Sequence, residues 1–307
     1  RMIKRWLMFP LQDIRKIEER FNTTEFFIKD QDLKNSLTQL IKQIGDIERI
    51  VAKIPLRKIS PREVLQLAKG LQAIAEVKQK TGNCADAWIL RLSEQLNACS
   101  LIREKICGTL IENPPALANK GGLIAAQISV ELDELRLISS NSKEYLLQIQ
   151  QREIEITGIP SLKISFNNVF GYYLEVTNTH KHKVPETWIR KQTLANAERY
   201  ITPELKEYEQ KIMGAEEKIL VLEMQIYDAL LLELQEYITP IQLNASLIAQ
   251  LDCITCFAGN ALQYKYRRPV VSAEYDLHIE EGRHPVIERN LPIGEEYVSN
   301  TVMLDKD

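Results

Sequence analysis

The chain has 307 residues, 45% hydrophobic and 26% charged, with a formal net charge of -3. Those values exclude disordered, collagenous and low-complexity classes, and the near-neutral total does not advertise a nucleic-acid binder. With 12 Gly and 12 Pro, below the roughly 12% of average usage, the chain has little punctuation and is expected to be mostly long helices. No run of about 18 uncharged apolar residues is present, so no membrane association is expected. No secretory signal pattern opens the chain, and the five cysteines (Cys84, Cys99, Cys107, Cys253 and Cys256) are odd in number. Both features fit free thiols in a reducing cytoplasm. Both ends, RMIKRWLMFP and VMLDKD, read as interior positions of a longer protein.

Residues 1 to about 120 read as short and medium helices. Asp13 is an N-cap candidate. Ser60-Pro61-Arg62-Glu63 combines an N-cap serine, proline at the first helical position and a glutamate that closes a capping box. Val64, Leu65, Leu67, Ala68, Leu71 and Ile74 then form an apolar stripe at helical spacing. Asn113-Pro114-Pro115 and Gly121-Gly122 break the pattern.

From Gly122 to about Thr157 the spacing predicts one long helix, with Ile128, Leu132, Leu135, Leu146, Ile149 and Ile156 on one face and Ser139 and Ser142 as polar interruptions. The period then changes. Leu162, Ile164 and Phe166 alternate with polar residues, and VFGYYLEVT follows Asn167-Asn168, which predicts a hairpin. The segment NTHKHKVPETW after it reads as a loop.

Thr202-Pro203-Glu204 opens a second long helix. Leu205, Tyr208, Ile212, Ala215, Ile219, Leu222, Ile226 and Ala229 step by 3 and 4 in strict alternation, the seam of a coiled coil. Thr239-Pro240 is the expected stop. Two helices of roughly 36 residues, about 54 Å each, thus flank a β-rich insert, and their matched length predicts an antiparallel arm with the insert at its tip. A last helix is expected from Leu243 to about Tyr264, then a β-like tail beyond Arg268-Pro269.

Charge is segregated along this arm. Residues 163–199 hold six cations (Lys163, Lys181, Lys183, Arg190, Lys191 and Arg199) against three acids, and residues 201–238 hold nine acids against three lysines. Phosphate contact needs Lys and Arg helped by Asn, Gln and Thr donors, all of which WIRKQTLANAER supplies at 188–199. A solvated basic loop has the same composition. His180 and His182 lack an evident third metal ligand, and the Cys253–Cys256 pair sits in an apolar helical pattern that suits buried core cysteines. No GxxxxGK[ST], HExxH or GxSxG motif occurs in these residues, and the four histidines (180, 182, 278 and 284) point to no catalytic pair. Read this way, the chain is either a polyanion-binding arm or a coiled-coil arm that docks a protein partner.

The string from 163 to 211, with FGYYLEV and RKQTLANAERYITPELKEYE within it, resembles the clamp region of the MutS family of DNA mismatch repair proteins. EGRHPVIE at 281–288 and the opening RWLMFPLQDIRKIEERF also resemble that family, in family order. The resemblance implies a mainly α fold: a helical core, two long antiparallel lever helices and a small β-rich clamp insert at the tip. Residues 1–121 would be core helices, 122–157 the ascending lever, 158–201 the clamp, 202–268 the descending lever and return to the core, and 269–307 the start of an ATPase domain. It implies backbone-phosphate contacts from Lys163, Arg190, Gln192, Thr193, Asn196 and Arg199, where Arg199 beside Glu198 equally suits a structural role. Tyr297, Val298 and Asn300 align with a segment that packs on the adenine of ATP. It also implies, for the intact protein, mismatched duplex DNA as ligand, ATP and Mg as cofactors, a homodimer and a MutL-type partner.

Overall fold

The computed structural model describes residues 1–305 except Asn168 and Phe170, and leaves the side chains at 142 and 143 undescribed. The expected hairpin turn at Asn168, the polar interruption at Ser142 and the first residue of FGYYLEV therefore lie partly outside the described residues. Eleven α-helices occur among the described residues: α1 (Met2–Met8), α2 (Ile14–Lys29), α3 (Gln31–Ile44), α4 (Ile47–Val51), α5 (Pro61–Thr81), α6 (Ala87–Gln95), α7 (Ser100–Thr109), α8 (Val130–Thr157), α9 (Pro203–Gln235), α10 (Ile238–Tyr264) and α11 (Pro285–Arg289). Six strands join them: β1 (Lys163–Asn167), β2 (Gly171–Thr177), β3 (Ile189–Thr193), β4 (Ala197–Ile201), β5 (Leu277–Gly282) and β6 (Asn300–Leu304). The fold is mainly α.

The chain divides into two compact units, one of residues 1–41, 77–95 and 246–307, the other of residues 42–76 and 96–245. In the first, Phe27, Leu37, Ile89, Leu251 and Ile254 are fully or almost fully buried. Each such side chain contributes about 1.5–3 kcal/mol relative to exposure. Asp13 caps α2 as its sequence predicts, its carboxylate accepting from the Arg15 amide at 3.0 Å. Arg268, just beyond α10, reaches back to α2, donating to Glu25 at 2.9 Å and also to Glu18. The tail of this unit forms the two-stranded antiparallel sheet β5–β6.

By length and composition α10 is apolar enough to cross a bilayer, with a mean hydropathy of 1.3 over its best window. Core helices of folded proteins pass the same test, and α10 buries Ile241, Leu247, Ile248, Leu251, Ile254 and Ala258. The cysteine expectation needs correction here. Cys253 is buried but Cys256, three residues on, is exposed: at about 100° per residue both lie across the helix from Leu251, Ile254 and Ala258, and there only Cys253 is covered.

In the second unit the Ser60 capping box forms in both directions: Ser60 N–H donates to Glu63 Oε2 at 3.1 Å and Glu63 N–H to Ser60 Oγ at 3.3 Å. All six stripe residues of α5, from Val64 to Ile74, are buried. The two long helices are shorter and less equal than the pattern predicts, 28 residues in α8 and 33 in α9. Residues 122–129 are not helical. Gly121 and Gly122 both have positive φ, Ile124 bridges Leu110, and Ser129 supplies the N-cap that starts α8. Ile128 and Ile156, expected on the buried face, are 41% and 67% exposed.

Contacts run from both ends of one helix to opposite ends of the other, so the pair is antiparallel. Arg152 meets Glu204 at 3.2 Å, the rings of Tyr145 and Tyr208 lie 4.1 Å apart, and Arg136 meets Glu223 at 2.6 Å. On α9 the predicted seam holds at Leu205, Ile212 and Ala215 and then changes phase: Glu223, Tyr227, Leu230, Leu231 and Leu234 are buried while Ala229 is exposed. A straight helix drifts about 20° per heptad, and in its second half α9 packs on α7 and the 3-10 turn Ala118–Lys120 as well as on α8. Thr239-Pro240 lies within the first turn of α10, where proline needs no donor, so the break falls earlier, at Glu236 and Tyr237.

Between α8 and α9 lies a four-stranded antiparallel sheet in the order β1-β2-β4-β3. The predicted β1–β2 hairpin is present, with Lys163 opposite Glu175 and Asn167 opposite Gly171. The pair β3–β4 falls in the stretch that reads from sequence only as a polar basic run. Ile164, Tyr172, Leu174, Val176 and Tyr200 point to one face and join Ile149, Leu162, Trp188 and Leu205 in a separate small core.

Candidate nucleic-acid interface

Strand alternation and register decide which face each candidate occupies. Lys163 is opposite Glu175, Glu175 is opposite Arg199, and Arg199 is opposite Gln192. These four residues share the face away from the small core, together with Tyr173. Arg190 is opposite Tyr200 and Thr193 opposite Glu198, which puts both on the core-facing side of the edge strand β3. A register shift between Arg190 and Gln192 separates the two sets. Asn196 is exposed in the turn before β4, and its carbonyl accepts from the Asn178 amide at 3.2 Å.

The outer face holds a bonded network. Arg199 Nε donates to Glu175 Oε2 at 3.0 Å, Nη1 donates to Gln192 Oε1 at 2.9 Å, and the guanidinium lies 4.5 Å from the Tyr173 ring centre. That is a hydrogen-bonded ion pair, a charge-assisted hydrogen bond to a neutral amide and a cation–π contact on one side chain. Arg199 is thus tied to Glu175 and not to its sequence neighbour Glu198. Glu198, only 6% exposed, accepts from the Tyr200 hydroxyl and has Arg190 Nη1 at 3.5 Å. Burial, and then the Glu198 hydrogen bond, push the Tyr200 hydroxyl up to about 12. The Arg190 side chain remains 62% exposed, so one side of its guanidinium faces water.

Sequence reasoning omits Lys181 and Lys191 from the candidate contacts. Both are exposed and, among the described residues, have no ion-pair partner. Lys181 rides on the 3-10 segment Asn178–Lys183, which is fastened to the β3–β4 turn by Asn178 Nδ2 donating to Ala195 O at 2.9 Å. Lys183 instead donates to Gly158 O at 3.1 Å, at the end of α8. The signal that would have found Lys181 and Lys191 is the cation count itself, read without preference for Arg and Asn. The tip therefore offers Lys163, Lys181, Arg190 and Lys191 as exposed cations, and Asn196 as an exposed amide close to Lys181's segment. The histidines of that segment join no metal cluster: among the described residues no group of three or more His, Cys, Asp or Glu side chains is so arranged.

In the tail, Tyr297 is half-buried with the Arg283 guanidinium 5.4 Å from its ring centre. Val298 is 79% exposed. Asn300 opens β6 opposite Gly282, and its amide donates to Val298 O at 3.4 Å.

The unit of residues 42–76 and 96–245 thus carries a long antiparallel helix pair and a small sheet with exposed cations. The sequence pattern of MutS domain III matches residues 1–258. The chain is 54% identical over 307 residues to the DNA mismatch repair protein MutS of Parabacteroides distasonis, covering 100% of this chain and 35% of that protein. It is 54% identical to the DNA mismatch repair protein MutS of Phocaeicola vulgatus and 50% identical to that of Christiangramia forsetii, each over all of this chain and 35% of the relative. The chain belongs to the MutS family and spans about a third of the length of these relatives.

Proposed function

We propose that this chain is the lever and clamp portion of a DNA mismatch repair ATPase. In this reading α8 and α9 are the levers, and the sheet from 158 to 201 is a clamp that grips duplex DNA through backbone phosphates without reading sequence. Residues 1–121 and 202–268 supply core helices and the return of the descending lever, and 269–307 begin an ATPase domain. The observation that carries the reading is the segregation of charge: six cations against three acids in residues 163–199, and nine acids against three lysines in residues 201–238, which contain the supporting helix α9. The acidic helix is repelled by a polyanion, so the duplex is drawn to the tip alone.

The direct phosphate contacts in this reading are Lys163, Arg190, Thr193 and Asn196, joined by Lys181 and Lys191. Gln192 and Arg199, already bonded to each other, hold the sheet in shape. In this reading the levers of the intact protein couple DNA binding to ATP and Mg use, and the protein acts in the cytoplasm as a homodimer with a MutL-type partner. Tyr297 offers a ring, and Val298 and Asn300 offer neighbouring backbone, for an adenine base. No glycine-rich phosphate loop occurs in these 307 residues, so the rest of the nucleotide would be held elsewhere in the protein.

The test is duplex affinity of the full-length protein measured against salt. The logarithm of the association constant should fall linearly with the logarithm of salt, by about 0.9 for each phosphate neutralised. Affinity indifferent to salt would remove the reading. A second reading, an arm that docks a protein partner, is favoured by Leu137, Leu147, Ile156 and Val221, which are more than half exposed on α8 and α9. It predicts partner binding that neutralising the tip leaves intact.

A further inference from the structure

Glu223 occupies what reads in sequence as the solvated acidic face of α9, yet it is 1% exposed. Both its carboxylate oxygens are engaged. Oε1 accepts from Arg136 Nη2 on α8 at 2.6 Å, and Oε2 accepts from the Leu123 amide at 3.2 Å. The same Arg136 Nη2 donates to the Ile124 carbonyl at 2.7 Å. Residues 123 and 124 are therefore held by one backbone group each, an N–H by the acid and a C=O by the base. This short segment is in turn paired with the end of α7: Ile111 N–H donates to Leu123 O at 3.0 Å and Ala125 N–H to Thr109 O at 2.8 Å.

A buried carboxylate is tolerated only when its charge is paired and its lone pairs are taken. Here the pairing ties α9 to two chain segments that lie 87 and 100 residues before it. It sits at the root of the α8–α9 hairpin, at the opposite end from the sheet. A surface salt bridge can slide, because water takes over each bond as it breaks. A pair whose acid is buried and whose two sides both hold backbone groups keeps one geometry or opens as a whole.

We propose that Arg136 and Glu223 are positioning residues: with the 121–125 segment they form a joint that fixes the hairpin root on the end of α7 and so sets how long the clamp stays on DNA. The joint itself is argued from the bonds above, whereas its effect on residence time rests on the DNA-gripping reading. Tilting the hairpin about its root requires this joint to open, and opening exposes an unpaired charge.

The experiment uses the full-length protein with Glu223→Gln, Arg136→Met and the milder Arg136→Lys, which keeps the charge but loses the planar fork. Hydrogen exchange of the Ile111, Leu123 and Ala125 amides should accelerate by about 100-fold in the first two variants, as expected when a buried charge loses its partner, with a smaller rise in Arg136→Lys. The amides of β2 and β4 should be unaffected, and duplex DNA should dissociate faster with its salt dependence unchanged. Exchange that rises equally in β2 and β4 would mean a general loss of stability and would overturn the proposal, as would faster local exchange with unchanged DNA dissociation. The charge swap Arg136→Glu with Glu223→Arg adds a sharper comparison. It restores an ion pair but turns a guanidinium toward the Leu123 N–H and a carboxylate toward the Ile124 C=O, so the joint predicts no rescue and full rescue would overturn it. Should the unmodified protein not bind duplex at all, the DNA reading fails, and the local exchange result alone decides the joint.

Discussion

The side-chain amide of Asn244, wholly buried on α10, bonds to both backbone groups of Asn97: its Oδ1 accepts from Asn97 N–H at 2.9 Å and its Nδ2 donates to Asn97 O at 2.7 Å. The side chain of Asn97 then accepts from the Cys99 amide at 2.9 Å, and Cys99 has φ +47. A left-handed conformation costs about 1–2 kcal/mol outside glycine, so the bond pair holds a strained connection between α6 and α7. Asn244→Ala should cost about 2 kcal/mol through the unmet amide and carbonyl. Asn244→Asp keeps the acceptor, loses the donor and should also destabilise. Denaturant unfolding measures both.

Tyr200 gives a prediction for alkaline pH. Its folded hydroxyl titrates at about 12, above the ordinary value of 10. A group with a raised pKa contributes stability that is whole below its unfolded value and is lost as pH rises through its folded one. The sheet should therefore weaken between about pH 10 and 12, and Tyr200→Phe should flatten that part of the stability profile. Tyr145, Tyr172, Tyr208 and Tyr227 are also pushed up, so absorbance titration should show several late tyrosinates, and the substitution should remove one of them.

Gly171 starts β2 with φ +82, and a methyl group there would run into the carboxylate of Glu209 on α9. The carboxylate is the end of a flexible side chain and can step aside, whereas the backbone angle cannot relax without moving the hairpin. Gly171→Ala should therefore cost about 1–2 kcal/mol from the left-handed conformation. Gly171→Ala with Glu209→Ala should recover little of it. A substantial recovery would instead locate the cost in the side-chain collision.

On DNA, Lys181→Ala and Lys191→Ala should each lower duplex affinity about equally for all sequences and reduce the salt slope by about 1. Arg199→Ala should behave differently. It removes the bonds to Glu175 and Gln192, so sheet stability should fall while the salt slope changes little. A slope change of about 1 for Arg199→Ala would make that side chain a direct phosphate contact.

Helix α5 shows how far local sequence reaches: Ser60, Pro61 and Glu63 carry the whole start signal, and a stripe of six residues carries its burial. The β1–β2 hairpin was equally legible, because Tyr172, Tyr173 and Val176 favour strands and the alternation is local. The strands β3 and β4 were not, since neither IRKQT nor AERYI shows a clear alternation: AERYI becomes a strand by pairing with β2, and IRKQT by pairing with AERYI. The start of α8 was misread by eight residues because apolar Leu123 and Ile124 continue a helical rhythm while serving as a bridge to α7.

Sequence alone determined the caps, the long-helix hairpin, the β1–β2 pair between its arms and the cations near it, since all rest on residue type and spacing along one segment. The family was legible for the same reason. Tertiary structure decided which of those polar residues remain available. Arg199 was taken up by Glu175 across a strand pair, and Glu223 was withdrawn from a charged face to meet Arg136 and Leu123, 87 and 100 residues away in the chain. Register and burial are set by partners distant in sequence, and no local pattern records which partner a charge will find.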